Sequence, residues 1–202
     1  MPDDAPVAAA PLAARPEALA FLLARRSRPA KTLTGPGPAR AELETMLTAA
    51  ARAPDHGKLE PWRFIVLEEA ACARLAALTH EIGAERGLEP ERLLKDAIGF
   101  RRAPVAVAVV ASPVASEKIP QVEQTLSAGA VCLGLVNAAL AMGWGANWLS
   151  GWMATDETFL RRGLGLAPQE WVAGFVHVGR ETTPPPERPR PDLARRVEWV
   201  EA

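Results

Sequence analysis

The chain has 202 residues, 49% of them apolar, with a formal net charge of −1 and three histidines. That length fits one domain with an arm or tail, and the composition can bury a sizeable core. The charge balance offers no basic surface for nucleic acid, and two cysteines without a CxxC pair fit a reduced, intracellular protein rather than a disulfide scaffold.

The chain opens on Met1-Pro2-Asp3-Asp4, with no early Lys or Arg, which argues against a secretory signal. Residues 1–15, rich in Ala and Pro, are expected to be irregular. A helix is expected from Pro16 to about Arg26, with Leu19, Leu22 and Leu23 on one face. Residues 27–38, with Pro29, Gly35, Pro36, Gly37 and Pro38, read as extended loop. A second helix carries Leu43, Met46, Leu47 and Ala50 and stops by Ala53-Pro54.

Trp62 to Leu67 reads as a strand, and residues 69–86 and 90–101 as helices. Pro104 to Ala111 has the continuous apolar pattern of a strand covered on both faces. Residues 121–142 predict a helix with two apolar stripes. One is Val122, Leu126, Leu133, Val136 and Leu140; the other is Ala128, Cys132, Leu135, Ala139 and Met142. A helix apolar almost all round must be covered all round, most simply by a second subunit. Its longest apolar stretch, Ala128 to Met142, falls short of the roughly 18 residues that span a bilayer, so no membrane association is expected.

Gly145 to Leu149 reads as a short strand, Asp156 to Arg162 as a short helix capped by Thr155, and Trp171 to Val178 as a buried strand. Residues 181–202 form an extended arm, rich in proline at Pro184–Pro186, Pro189 and Pro191. Its end, Arg195 to Val200, packs on a partner subunit or stays loose. Alternating strands and helices give an α/β or α+β domain over residues 16–180.

Several motifs fail. The pairs Gly35/Gly37, Gly143/Gly145 and Gly163/Gly165 each lack the third glycine of a dinucleotide fingerprint, and Gly129…Gly134 is followed by Leu135-Val136 rather than Lys-Ser/Thr. His80-Glu81 lacks a second His, Ser150 lacks the preceding glycine of a nucleophile elbow, and the scattered histidines suggest no metal site.

Two segments remain. In Arg25-Arg26-Ser27, planar guanidinium groups and a hydroxyl can grip a phosphate, although a solvated helix C-terminus accounts for the same residues taken alone. Arg52 to Phe64 is a charged loop between prolines that leads into a strand, either a functional loop or a turn whose Asp55 and His56 bond their own backbone.

Taken together, Arg25-Arg26-Ser27, then Arg52-Ala53-Pro54-Asp55-His56 and Pro61-Trp62-Arg63-Phe64, resemble the nitroreductase family, most closely its short, minimal members. The resemblance runs on through Arg101-Arg102-Ala103-Pro104, Ser127-Ala128-Gly129, Gly143-Trp144-Gly145, Trp148-Leu149-Ser150-Gly151 and Val172 to Gly179. It implies an α+β fold with a mixed central sheet flanked by helices, in an intertwined homodimer with FMN at the subunit interface. Carried over, Arg25, Arg26 and Ser27 would hold the FMN phosphate and ribityl chain. Arg52 and His56 would reach the flavin from the partner subunit, and Trp148, Leu149 and Ser150 would line it from the first. Ala139, Leu140, Ala141, Met142, Gly143 and Trp144 match a region linked to NADH or NADPH. Some relatives have Gln at the position of Glu60 and Arg at that of Leu149; Arg188 and Arg190 are candidates to replace the missing cation.

The reaction this implies is ping-pong hydride transfer from NAD(P)H through FMN to a nitroaromatic or quinone, in the cytoplasm. FMN carries the chemistry, so no catalytic side chain is expected. The alternatives are another flavin reaction on the same fold, dehydrogenation or dehalogenation, or a non-catalytic flavin-binding module. His177 is expected to be a hydrogen-bonded core histidine, His80 a surface residue, and Cys72 and Cys132 apolar fillers.

Overall fold

The computed structural model describes residues 12–201, so most of the expected irregular N-terminus lies outside the described residues. In chain order the elements are α1 (Pro16–Ala24), β1 (Leu33–Thr34), α2 (Arg40–Ala50), β2 (Trp62–Leu67), α3 (Glu69–Glu85) and α4 (Pro90–Arg102). Then come β3 (Val105–Ala111), α5 (Gln121–Ala141), β4 (Gly145–Leu149), α6 (Glu157–Phe159) and β5 (Trp171–Glu181). The fold is α+β. The sheet runs β2-β3-β5-β4, with β1 pairing to the end of β5. Every pairing among the described residues is antiparallel, which corrects the mixed sheet implied by the resemblance.

The β3 sequence VAVAVVA is buried at every position because its two faces serve two cores. Ala106, Ala108 and Val110 pack with α3, α4 and Phe159 of α6, while Val105, Val107 and Val109 pack with α2 and α5. Strand β5 lies beside it with one extra residue, Ala173, between the partners of Val109 and Val110. That bulge switches the strand's parity. Val172 and Val176 are four residues apart, which in regular strand puts them on one face, yet Val172 joins the α3/α4 core and Val176 the α2/α5 core.

Two elements differ from expectation in detail. Asp156 rather than Thr155 caps α6, its Oδ1 accepting from the Phe159 backbone N–H at 2.8 Å, and a π-helical turn over Leu160–Leu164 follows. Strand β5 also continues past Val178, because Arg180 and Glu181 pair with β1.

His177 is buried in β5 with its ring edge-on to Phe100 at 5.1 Å, and a Cβ placed on Gly99 would sit 2.6 Å from its Nε2. Its Nδ1 has no hydrogen-bond partner, so the hydrogen-bonded core histidine expected from the sequence is corrected to a buried, neutral one. Burial pushes its pKa down to about 4. The unfolded chain therefore binds a proton that the folded chain refuses between the ordinary value near 6.5 and about 4. Stability should fall as pH drops through that window, by up to roughly 1.4 kcal/mol per pH unit. Glu170 acts lower: the Arg63 guanidinium holds it down to about 2, so its contribution fades only as pH falls below 4.5. Denaturant unfolding of His177→Gln between pH 7 and 4.5 should lose most of the wild-type slope. An unchanged slope would assign the acid sensitivity elsewhere.

Much apolar surface stays uncovered within the chain. Helix α1 has no buried residue, leaving Leu19, Leu22 and Leu23 exposed. On α5 the stripe of Ala128, Cys132, Leu135 and Ala139 is buried, but Val122, Leu126 and Leu133 are open, Leu126 at 68% exposure. Close approach comes at Gly134, where a Cβ would lie 3.2 Å from the Ala50 backbone of α2. Trp199 at the end of the arm is 86% exposed. With 21 residues, α5 is long and apolar enough to cross a membrane by length and composition, which corrects the count made from Ala128 to Met142. In the fold its buried side packs on α2, β3, β4 and β5.

Candidate cofactor site

The first cluster forms where α1 ends. Arg25 is the helix's C-terminal cap, and three residues on the Arg28 backbone N–H donates to Ala146 O of β4 at 2.8 Å. That bond, with the Arg28–Glu181 ion pair at 3.3 Å, pins Arg25-Arg26-Ser27 beside the strand that carries Trp148 and Leu149. The Arg25 Nη2 donates to Ser27 Oγ at 3.3 Å. Arg25 Nε and Arg26 Nη1 are buried without any hydrogen-bond partner. Burial, and then the like charge of Arg190, lower the Arg25 pKa from its ordinary value. Nearby Glu187 is held below its usual range by the Arg188 backbone N–H and by Arg190, with Arg26 adding to the effect. Glu187 pairs with Arg190 at 3.1 Å and feels Arg26, while Arg25 feels Arg190. Buried, partnerless donors and excess positive charge are what an anion would satisfy.

Trp148 stands against the sheet. Its Nε1 donates to the carbonyl of Ala173, the bulge residue, at 3.1 Å. Gly174 leaves it room: a Cβ there would fall 2.0 Å from Trp148 Nε1, whereas one on Gly129 would make ordinary contact with Cη2 at 3.8 Å. The ring stays 38% exposed and offers a flat face. Leu149 pairs with Phe175, and Ser150 follows, exposed, at the strand's end.

The second cluster is the loop between α2 and β2. The Asp55 carboxylate accepts from the backbone N–H groups of Leu59 and Glu60 at 3.3 and 2.8 Å. Gly57, Lys58 and Glu60 all have positive φ, at 72°, 55° and 47°. Arg52 is exposed and lines a shallow depression of about 310 Å³ with Lys58 and Trp62. His56 is exposed and hydrogen-bonds through Nδ1 to Glu123 Oε2 at 2.7 Å. No hydrogen bond or ion pair joins Arg52 or His56 to the Arg25 cluster among the described residues.

In residues 139–144 the side chains are divided. Ala139 is buried in the core, Leu140 is half-buried, and Ala141, Met142 and Gly143 are exposed. Trp144 belongs to the scaffold: its Nε1 donates to Glu42 Oε1 at 3.1 Å, and the Arg180 guanidinium lies 5.7 Å from its ring centre. Trp152 is likewise held, by Asp96 at 3.0 Å.

A cavity of about 800 Å³ is lined by α3, α4 and residues 34–37, including His80, Arg101 and Arg102, and by none of the expected cofactor residues. His80 is accordingly half-buried rather than a surface residue. A site shared between subunits is open in a single chain, so an intrachain cavity is a poor guide to it. Cys72 and Cys132 are buried, free thiols raised by burial to about 11 and about 12, too basic to act as nucleophiles.

Likeness to known proteins points the same way. The chain is 40% identical over 166 residues to a Haemophilus influenzae protein named "Putative NAD(P)H nitroreductase", spanning 81% of this chain and 88% of that one. It is 34% identical over 163 residues to the "Putative NAD(P)H nitroreductase YdjA" of Escherichia coli K12, spanning 81% and 87%. In fold it resembles a nitroreductase-like family protein from Bacillus cereus, with a TM-score of 0.74 at 21% identity, covering 96% and 100%. It also resembles a structure from Desulfovibrio desulfuricans titled "putative nitroreductase in complex with fmn", with a TM-score of 0.69 at 23% identity, covering 90% and 95%. The Nitroreductase family model matches residues 22–180, from helix α1 almost to the end of the bulged strand, and the chain therefore belongs to the nitroreductase family.

Proposed function

We propose that the chain is an FMN-dependent NAD(P)H oxidoreductase that works as a homodimer. The observation that carries this reading is the pair of buried, partnerless guanidinium nitrogens of Arg25 and Arg26, in the segment that Arg28 ties to Ala146 of β4. They supply charge-assisted donors for a terminal phosphate, and Arg190 adds a third cation. Ser27 offers its hydroxyl to the phosphate or ribityl chain. Trp148, Leu149 and Ser150 line one side of the ring system, the indole face suiting a flat ligand. Arg52 and His56 approach from the partner's copy of the loop, which suits their separation from Arg25 within one chain. The open surface of Met142 and Gly143 is where nicotinamide cofactor approaches. Leu149 brings no cation, and Arg190 takes that part.

FMN held by these residues would supply the two-electron carrier for hydride transfer between NADH or NADPH and a flat acceptor such as a nitroaromatic or quinone. The chain's groups bind, orient and shield; none is required to move a proton. The dimer follows from the uncovered faces of α1 and α5, and the free thiols suit a cytoplasmic setting.

The purified protein should be yellow and release FMN on denaturation. Its visible flavin absorption should bleach when NADH or NADPH is added anaerobically and return with a nitroaromatic or quinone. Release of FAD, or a flavin that neither nicotinamide reduces, would overturn the reading.

A further inference from the structure

The loop that carries His56 is fastened to α5 twice, four residues apart on one helix face. The buried Ser127 hydroxyl donates to Pro54 O at 2.7 Å and accepts from Trp62 Nε1 at 3.1 Å, closing both ends of the loop. One turn earlier, Glu123 Oε2 meets His56 Nδ1 at 2.7 Å, across 67 residues of sequence. Below the loop, a Cβ on Gly57 would collide with Ile119 at 2.4 Å, so the backbone is pressed against its support. Positive φ at Lys58 and Glu60 adds strain, which persists only where surrounding contacts over-determine the conformation. The backbone of the loop is therefore fixed by Ser127, Asp55 and Ile119, and the ring of His56 by Glu123.

We infer that Glu123 is a positioning residue: it holds the His56 imidazole so that Nδ1 is the hydrogen-bonded nitrogen and Nε2 is the one presented to the cofactor. A carboxylate oxygen can only accept, so Nδ1 carries the hydrogen. Nε2 is then an acceptor in the neutral ring and a donor in the imidazolium. The geometry is that of a carboxylate orienting a working histidine through its far nitrogen, the arrangement by which supporting shells set tautomer and direction. An exposed contact of this kind contributes little to stability, so its effect is expected in binding rather than in folding. The inference rests on the placement of His56 at the flavin, and the experiment separates the two.

With only three histidines in the chain, 15N-labelled histidine in the apoprotein gives a readable spectrum. The His56 resonances should report hydrogen on Nδ1 in the wild type, a mixture of tautomers in Glu123→Ala, and the wild-type pattern again in Glu123→Gln, whose amide oxygen can accept the same bond. FMN titration should show Glu123→Ala weaker by about five- to tenfold, the loss of one hydrogen-bonded contact. Glu123→Gln should be near wild type, and His56→Ala/Glu123→Ala no weaker than His56→Ala alone. An unchanged 15N pattern in Glu123→Ala, or additive losses in the double variant, overturns the positioning role. An FMN affinity indifferent to His56→Ala overturns the placement of His56 at the cofactor, and with it the function given to Glu123, even where the tautomer is as expected.

Discussion

Arg25→Ala is expected to lower FMN affinity about ten- to a hundredfold, since a charge-assisted contact is worth ~1.5–3 kcal/mol and each ~1.4 kcal/mol is a factor of ten. Arg25 ends a helix with no buried residue, and its Nε has no partner to lose, so the fold should keep its melting temperature. Flavin fluorescence titration measures the loss. The same variant tests the shared site when combined with His56→Ala. If the two residues serve one flavin from different chains, each mixed dimer has one site with both defects and one with neither. After subunit exchange, titration should then recover tight sites that neither parent has. Proven exchange without recovery would show that the two residues act from the same chain, or that one of them does not touch flavin.

The sequence was most legible where a single period decides the structure. Strand β3 is an unbroken apolar run, and β2, β3, β4 and most helices lie within a residue or two of their expected bounds. The two stripes of α5 were legible in part: Ala128, Cys132, Leu135 and Ala139 are buried and Val122, Leu126 and Leu133 open, but Val136 of the open stripe is buried and Met142 of the buried one exposed. What sequence reading missed depends on pairing between distant residues. β1 is only two residues long and exists because it borders Arg180 and Glu181. Asp156 and Thr155 are equally good caps by type, and only the observed geometry chooses between them. The bulge at Ala173 had a signal that went unread: Gly174 beside it, an isolated glycine inside a strand, and Val172, Phe175, Val176 and Val178 in no strict alternation. The residues expected at the site were named from the sequence, but the partners that hold them were not legible. Glu123 carried no signal in the sequence and Ser127 only that of the Ser127-Ala128-Gly129 motif, since their bonds to His56 and Pro54 span 67 and 73 residues. Arg63 and Trp62, prominent in the motif, turn out to be scaffold. Arg63 binds Glu170 through two bonds of 2.7 and 2.8 Å, and Trp62 binds Ser127.

Gly174→Ala should damage the protein through one neighbour. The added methyl would fall 2.0 Å from Nε1 and 2.3 Å from Cδ1 of Trp148, inside the indole ring. A rigid ring cannot yield by a small torsion, so Trp148 must swing off the sheet and give up its bond to Ala173 O. Overpacking of this kind costs about 1–3 kcal/mol. With Trp148 at the flavin as proposed, the swing would also remove its flat face, an expected further loss of about 0.5–1.5 kcal/mol in FMN binding, or roughly two- to tenfold. The clash has one partner, so removing that partner should reverse the sign. In a Trp148→Ala background the methyl meets an empty slot, and alanine is favoured over glycine in a strand interior by about 0.5–1 kcal/mol. Gly174→Ala should therefore destabilise the wild type but be neutral or stabilising beside Trp148→Ala, as read by denaturant unfolding. FMN affinity should be equally weak in Gly174→Ala, Trp148→Ala and the double variant. A cost that persists at full size without Trp148 would mean that the glycine serves the bulge itself rather than the tryptophan packed against it.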